Sequence, residues 1–402
     1  MRPLTLIANL GPDQVPRLRE VLEEVDRSPS DNPYLRLADS RRTHFARFVI
    51  VDDQEAGPRL LFSADYDGAL KDYISELVAV MPGMDAIWRG CEDYSGSDNF
   101  ERFVCEQMIP VSDIYIGFPM LTSETIQARA ELRNFLEDFC DVGGVAGYLR
   151  SARLGEFLDL LQRAAPAPSA WQRLKASFAS AERELGERAR SAFRSGFLSL
   201  GVAYGKLLVK PDFDRVSSQA VDLPARRLYL EHLAQLEAVE NRYVQNQMTL
   251  VAALKSDWKS QLLLRFSMLL ADPIIKYGWP SGQFSGVFTL HSFHWAVIDG
   301  GAHLVFISNF DGSSQNYLGD FLDNLSWGLN LFYANCIGYP DGGMAEVEPF
   351  YEWIRSHQYV PQIYYSAYPS ETVLNISRDE QITRDLCSRF DRTAVEEWLR
   401  LL

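Results

Sequence analysis

The sequence contains no apolar run of the roughly 18–20 residues that a membrane-spanning helix needs. Its first residues, Met1–Ile7, form a short apolar stretch without the long apolar core and small-residue cleavage site of a signal peptide. We therefore expect a soluble, cytoplasmic protein. One basic amphipathic stretch, Lys255–Tyr277, is also compatible with a helix lying on a membrane surface. Because the chain carries a net charge of −15, however, membrane contact is not expected.

Cysteine is scarce and positive charge is outnumbered. The five cysteines are scattered, and none of them forms a CxxC pair, which is typical of reduced thiols and gives no zinc signal. The chain has 39 Lys and Arg against 54 Asp and Glu. A surface that binds a phosphate backbone needs clustered cations, so we expect no nucleic-acid partner.

Several motifs of common enzyme classes are also missing. The sequence has no glycine-rich phosphate loop with a following lysine, no GxSxG elbow and no HExxH helix. The sequence therefore gives no support for a kinase, a P-loop ATPase, an α/β-hydrolase or a zinc peptidase, and we predict no metal site. With 402 residues, 47% of them hydrophobic, the chain is long enough for at least two globular domains.

A set of landmarks occurs twice in the sequence. The segment Thr43–Asp52 resembles Leu290–Asp299, and each is followed by an apolar strand that ends in Asp-Gly, at Asp67 and at Asp311. His44 precedes its counterpart His291 by 247 residues, and Asp67 precedes Asp311 by 244. Because the order and spacing of the landmarks persist, we infer an internal duplication.

Each copy is predicted to fold as βαββαβ, the ferredoxin-like order of elements. The first copy has the predicted strands Leu4–Leu10, Thr43–Asp52, Arg59–Asp67 and Asp113–Phe118 and the helices Asp13–Val25 and Leu70–Val80. The second has the strands Thr249–Ala253, Leu290–Asp299, His303–Phe310 and Gln362–Tyr368 and the helices Lys255–Tyr277 and Gln315–Leu325. The predicted fold class is α+β, with the two antiparallel sheets pairing into a pseudo-dimeric barrel.

We place the first repeat at 1–122, a helical insert at 123–247 and the second repeat at 248–402. The insert is rich in Ala, Leu, Glu and Arg at helical spacing. Its predicted helices are Arg129–Phe139, Tyr148–Ala165, Ala170–Leu207 and Pro224–Val244. We expect the insert to pack against the barrel and to serve as a scaffold or as the contact surface of a homo-oligomer.

The paired repeats resemble the dimeric α+β barrel superfamily, which includes dye-decolorising peroxidases, chlorite dismutases and antibiotic-biosynthesis monooxygenases. The peroxidases carry a Gly-x-x-Asp-Gly element whose Asp is the acid–base catalyst above a haem. Ser308–Gly312 is similar to this element except at its first position. The resemblance implies an oxidative, peroxidase-like oxidoreductase that acts on a small molecule in an apolar pocket between the sheets. Asp311 would be its acid–base group, and His357 or His291 its haem ligand or proton shuttle.

Period-two alternation in strands sorts the candidate residues by face. Asn309 and Asp311 are expected on one face, whereas His291 and His294 are expected on opposite faces and so cannot form one metal site. If Asn309 and Asp311 face an apolar pocket, a desolvated carboxylate there suits general acid–base catalysis. We therefore name Asp311, His294 and Asn309 as candidate catalytic residues.

Simpler interpretations of the same residues stay open. Asp67 and Asp311 are suited to capping the helices that follow them. His44 and His291 are suited to a structural hydrogen bond at a strand entry. We expect a small apolar or aromatic molecule as the partner. Its candidate binding residues are Trp295, Tyr333, Tyr365, Arg47 and Asp67. The aromatic residues could equally fill the core.

Three functions follow as hypotheses. The first is the oxidative enzyme, with haem as its cofactor. The second is a monooxygenase, cyclase or isomerase of the same superfamily that works without a cofactor. The third is a non-enzymatic binding or assembly protein. A fold does not by itself determine which of these applies.

Overall fold

The structure is a computed structural model, and it describes residues 1–29, 32–53, 57–141, 160, 163–164, 223–240, 242–277, 279 and 281–389. Of the helices predicted for the insert, Ala170–Leu207 lies outside the described residues, and Tyr148–Ala165 does so almost entirely. Arg129–Phe139 lies within the helix Ser123–Asp141, whereas the helix predicted as Pro224–Val244 ends earlier, at Val239.

The elements follow one another in an order that mixes strands and helices. In chain order they are β1 (Arg2–Asn9), α1 (Val15–Arg27), β2 (Thr43–Asp53), β3 (Gly57–Tyr66), α2 (Leu70–Val80), α3 (Met84–Trp88), α4 (Phe100–Gln107), β4 (Val111–Ile116), α5 (Ser123–Asp141), α6 (Leu223–Val239), β5 (Gln245–Ala253), α7 (Trp258–Tyr277), β6 (Leu290–Ile298), β7 (His303–Asp311), α8 (Ser314–Tyr333), α9 (Val347–His357), β8 (Ile363–Ser366) and α10 (Val373–Arg389).

The strands form two four-stranded antiparallel sheets. The first sheet has the order β1-β3-β2-β8, and the second has the order β4-β6-β7-β5. The prediction of a mixed α/β protein with antiparallel sheets is therefore confirmed. The strand β8, although it comes late in the chain, pairs with β2, and β4 pairs with β6.

Backbone hydrogen bonds also join the two sheets to each other. Just before β4, the Ile109 N–H donates to the Thr5 carbonyl in β1 at 3.0 Å. Just before β8, the Tyr359 N–H donates to the Thr249 carbonyl in β5 at 2.8 Å. The chain that leads into β4 or β8 thus contacts one sheet before the strand pairs with the other.

Alternating side chains give each sheet two buried faces. In β2, Phe48 and Ile50 pack with α1, α2 and α4, whereas Val49 and Val51 pack toward the second sheet. In β6, Phe293 and Trp295 pack under α7, α8 and α9, whereas Ala296 faces the first sheet. Burial on both faces explains why these strands are almost continuously apolar in sequence.

Several predicted elements differ in length from the observed ones; the strand predicted as Thr249–Ala253, for example, begins four residues earlier, at Gln245. The helix predicted as Gln315–Leu325 runs from Ser314 to Tyr333 as α8, with a break in helical geometry at Leu325 (φ −140°, ψ 16°). The last strand is shorter than predicted, at Ile363–Ser366. Among the described residues, no helix combines the length and apolarity needed to cross a bilayer.

Candidate functional site

Nine buried polar side chains meet between the two sheets, and we call them the inner polar cluster. They lie on the facing sides of six strands, where alternation turns each toward the opposite sheet. The members are Thr5, Arg47, Ser63, Asp65, Gln247, Thr249, Ser292, His294 and Asn309. Because buried polar groups are costly without partners, their hydrogen bonds determine what the cluster can do.

Arg47 carries the positive charge of the inner polar cluster. Its Nη1 donates to Gln247 Oε1 at 2.8 Å and to the Ser308 carbonyl at 3.1 Å, and its Nη2 donates to Asn309 Oδ1. The Tyr364 ring centroid lies 5.7 Å from the guanidinium carbon. Burial lowers the pKa of Arg47 to about 10, so the side chain remains charged at neutral pH. These contacts fasten a strand of the first sheet to the second.

Asp65 is the acidic residue of the inner polar cluster. Its Oδ2 accepts hydrogen bonds from Ser292 Oγ at 2.6 Å and from Asn309 Nδ2 at 2.9 Å. Burial raises the pKa of the Asp65 carboxyl, while the Ser292 hydrogen bond and the charge of Arg47 oppose that rise. Asp65 is thus a desolvated carboxyl of the kind used in acid–base catalysis, but its described donors are protein side chains of the opposite sheet.

His294 is the neutral member of the cluster that could titrate. Its Nε2 lies 2.9 Å from Thr5 Oγ1, which in turn lies 3.1 Å from Ser63 Oγ. Burial, with a contribution from the charge of Arg47, lowers the pKa of His294 to about 3. The imidazole is therefore uncharged at neutral pH and links the two sheets through hydrogen bonds.

Two His–Asp pairs lie at the ends of the strands, outside the inner polar cluster. His44 Nε2 lies 2.8 Å from Asp67 Oδ2, and His291 Nε2 lies 2.7 Å from Asp311 Oδ1. Burial raises the pKa of Asp67, but His44, the N-terminal ammonium and the Ser123 N–H together outweigh it, so the pKa of Asp67 is lowered. Tyr368 completes the first pair, with its hydroxyl 2.9 Å from His44 Nδ1.

Both aspartates accept hydrogen bonds from the first residue of a distant helix. Asp67 Oδ2 accepts from the Ser123 N–H of α5 at 2.8 Å, and Asp311 Oδ2 accepts from the Val373 N–H of α10 at 2.7 Å. The interpretation that they cap the helices following them was wrong. The residue that precedes α2 is Ala69, with no side-chain cap, and the cap of α8 is Ser313.

The expected separation of His291 and His294 onto opposite faces was also wrong. The register of β6 shifts between Leu290 and Ser292, and this irregularity interrupts the alternation at His291. His291 packs against Phe45 of the first sheet with ring centroids 5.3 Å apart, while His294 bonds to Thr5. Both histidines therefore face the first sheet, each with its own partner. In the part of the chain that the structure describes, no cluster of His, Cys, Asp or Glu could hold a metal ion.

The remaining predicted site residues lie elsewhere. Trp295 and Tyr333 pack against each other on the helix-covered face of the second sheet, with ring centroids 5.1 Å apart. Tyr365 packs against the core of the first sheet. His357 lies at the end of α9, where its Nδ1 is 2.8 Å from the Trp353 carbonyl oxygen. Of the predicted residues, only Arg47, His294 and Asn309 belong to the inner polar cluster.

The resemblance implies a haem site with Asp311 as acid–base group and His291 or His357 as ligand or proton shuttle, so the contacts of these side chains bear on that prediction. Asp311 has both oxygens engaged, by His291 and by the Val373 N–H. The His357 ring also packs on the Trp353 ring, with centroids 4.5 Å apart. His357 belongs to α9, whereas His291 belongs to β6. Asp311 is thus held by protein groups, and the two candidate ligand histidines lie on different elements. Haem stays a prediction that rests on the resemblance alone.

An apolar cavity lies under the second sheet, on the side that α7 and α8 cover. Its interior volume is about 50 Å³, and it is partly open to solvent. Its walls are Ala271, Ile275, Trp279, Phe284, Phe293, Trp295, Phe306, Phe321, Leu325, Gly328, Leu329, Leu331 and Phe332. Every wall residue is aliphatic, aromatic or glycine. The cavity is next to the break in α8 at Leu325, where the helix departs from regular geometry.

Sequence reasoning identified one residue of this cavity, Trp295, and missed its other walls and several members of the inner polar cluster. Thr5 and Ser63 are single polar residues within the apolar runs Leu4–Ala8 and Leu60–Ala64, a signal that could have marked the inward face. In comparisons with known proteins, the chain matches no protein-family model and no curated protein.

Proposed function

We propose that this protein binds a small apolar or aromatic molecule in the cavity between the second sheet, α7 and α8. The observation that carries the proposal is the wall of that cavity, where seven aromatic side chains surround a space partly open to solvent. Such a site recognises its ligand by shape and by aromatic contact, because its walls offer few polar groups. Trp295, named from the sequence as a ligand-binding residue, is one of its walls.

The buried polar residues named as catalytic candidates bond to other protein groups, which favours a binding function over a catalytic one. Asn309 forms hydrogen bonds with both Arg47 and Asp65 across the two sheets. Asp311 is engaged by His291 and by the N–H of Val373 at the start of α10. These bonds stabilise the pairing of the two sheets. Oxidation of the bound molecule, with or without a haem, stays a prediction that the resemblance alone supports.

We also propose that the chain derives from two ferredoxin-like repeats, whose last strands, β4 and β8, each pair in the sheet of the other repeat, and that the two sheets close into one barrel. Matched contacts support this interpretation. Arg47 reaches toward Thr249 of the second sheet, and its sequence counterpart His294 reaches Thr5 of the first. The strand registers shift at His44 and, in the counterpart strand, at His291.

Thermal unfolding in the presence of toluene or indole tests the binding proposal. A ligand that binds only the folded protein raises the melting temperature, and the rise grows with the ratio of ligand concentration to Kd. We expect both compounds to raise the melting temperature of the wild-type protein. The variant Ala271→Phe, which fills the cavity from α7, should lose this shift.

The matched control for that variant is Leu374→Phe. Leu374 is 62% exposed on α10, so the added ring lies outside the cavity and the ligand-induced shift should persist. Circular dichroism establishes that both variants fold. The proposal is contradicted if neither compound stabilises the wild type, or if Ala271→Phe is stabilised as much as the control.

A further inference from the structure

The helix α7 exposes four large apolar side chains in a single stripe. Trp258 is 70% exposed, Leu262 59%, Phe266 50% and Leu269 72%. Steps of four, four and three residues keep them on one side of the helix. We call this stripe the outer face of α7. The opposite side of the same helix is buried, through residues such as Leu264 and Ala271.

Cationic residues flank the outer face on both sides. At 100° per residue, Lys259 lies just beyond Phe266 on one side of the stripe, and Arg265 lies just beyond Trp258 on the other. Both are exposed, and the Lys259 ammonium lies 5.9 Å from the centre of the Trp258 ring. Over Trp258–Leu269, every residue of α7 that falls between these two flanks is apolar.

We propose that the outer face of α7 is a docking surface for an anionic lipid bilayer. An amphipathic helix with an apolar stripe and cationic borders is suited to lie in the plane of a membrane surface. The apolar residues would enter the acyl boundary, Trp258 would lie at the headgroup level, and Lys259 and Arg265 would reach the lipid phosphates.

The expectation from the sequence was different, because it rested on the net charge of −15. Charges more than about 8–10 Å from the membrane are largely screened at physiological salt. The local cations at the outer face therefore govern the contact more than the net charge does. A second copy of the chain is a weaker candidate occupant, since pairing two such helices brings their cationic borders together.

The position of α7 connects this surface to the apolar cavity. Ala271 and Ile275, on the inner side of the same helix, form part of the cavity wall. A bilayer docked on the outer face would thus be the source of the apolar molecule. This last step rests on the proposed function, whereas the docking itself does not.

Vesicle flotation of the purified full chain tests the proposal. We expect the wild type to float with vesicles of phosphatidylcholine and phosphatidylserine, and much less with phosphatidylcholine alone. Replacing Leu262 and Leu269 together by Ser should lower the fraction bound about tenfold or more, because two apolar anchors are lost. The charge reversals Lys259→Glu and Arg265→Glu should remove the preference for phosphatidylserine.

A matched control keeps the test specific. Leu228 and Leu230 on α6 are 67% and 51% exposed, so replacing both by Ser removes equivalent apolar surface elsewhere and should leave flotation unchanged. The proposal is overturned if the wild type does not float, or if the Leu262 and Leu269 variant floats equally well. It is also overturned if light scattering shows that this variant instead dissociates a dimer.

Failure of docking and failure of ligand binding can be told apart. Flotation is measured without any apolar ligand, and Ala271→Phe, which acts in the cavity, should float like the wild type. If the toluene and indole shifts occur without flotation, the cavity proposal stands and the docking proposal falls.

Discussion

The Asn309 side chain donates a hydrogen bond to the buried carboxylate of Asp65, with 2.9 Å between Nδ2 and Oδ2. The other end of the same carboxamide accepts a hydrogen bond from Arg47. Asn309 belongs to the second sheet, and Arg47 and Asp65 belong to the first. One neutral amide thus satisfies a buried guanidinium and a buried carboxyl group, and it holds the two sheets together at this point.

Replacing Asn309 by Leu should therefore destabilise the protein severely. The change leaves Arg47 and Asp65 each without one buried partner, and we expect a loss of about 3 kcal/mol in the free energy of unfolding. Urea denaturation measures it. The control Asn316→Leu, at an exposed position of α8, should change the free energy by less than about 0.5 kcal/mol. Equal effects in the two variants would contradict the role assigned to Asn309.

The sequence predicted the strands of this fold much better than their partners. The helix Leu70–Val80 and the hairpin strands β2 and β3 lie within a few residues of their predicted bounds, because apolar periodicity is a local signal. Which sheet receives β4 and β8 depends instead on contacts between residues more than a hundred positions apart. Periodicity carries no information about such contacts.

The candidate site was partly predictable for the same reason. Arg47, His294 and Asn309 are polar residues at inward positions of regular strands, and alternation found them. The register shift at His291 places this side chain on the face opposite to the expected one, and no local sequence pattern predicted the shift. The partners of Asp67 and Asp311 are helix N-termini 56 and 62 residues away. The apolar cavity depends on a break in α8 that the sequence pattern alone did not predict.

A pH-dependent loss of stability should arise from His294. Its pKa is about 3 in the folded protein, against 6.5 for an ordinary histidine. The unfolded chain therefore binds more protons between these two values, and the stability falls as the pH decreases below about 6.5. Between pH 7 and pH 5 this residue alone should cost about 2 kcal/mol.

The variant His294→Gln isolates this effect. The variant loses the titrating group, so the difference in the free energy of unfolding between wild type and variant should shrink by about 2 kcal/mol from pH 7 to pH 5. Urea denaturation at the two pH values measures it. Parallel pH profiles for the two proteins would show that His294 is protonated in the folded state as readily as in the unfolded one.

Asp311→Ala should weaken the fold, although from the resemblance Asp311 would be an acid–base catalyst. The substitution removes the acceptor of the Val373 N–H and the partner of His291, so we expect a cost of about 2–4 kcal/mol. Asp67→Ala removes the equivalent contacts with Ser123 and His44 and should cost a similar amount.

Hydrogen exchange distinguishes these local effects from general destabilisation. In Asp311→Ala the amide of Val373 should exchange faster while that of Ser123 keeps its relative protection, and in Asp67→Ala the pattern should be reversed. Each variant is thus the control for the other. If both amides respond alike in both variants, the aspartates do not hold separate helices. Since Asp311 supports the start of α10, any loss of activity in Asp311→Ala counts as evidence for catalysis only when this amide remains protected.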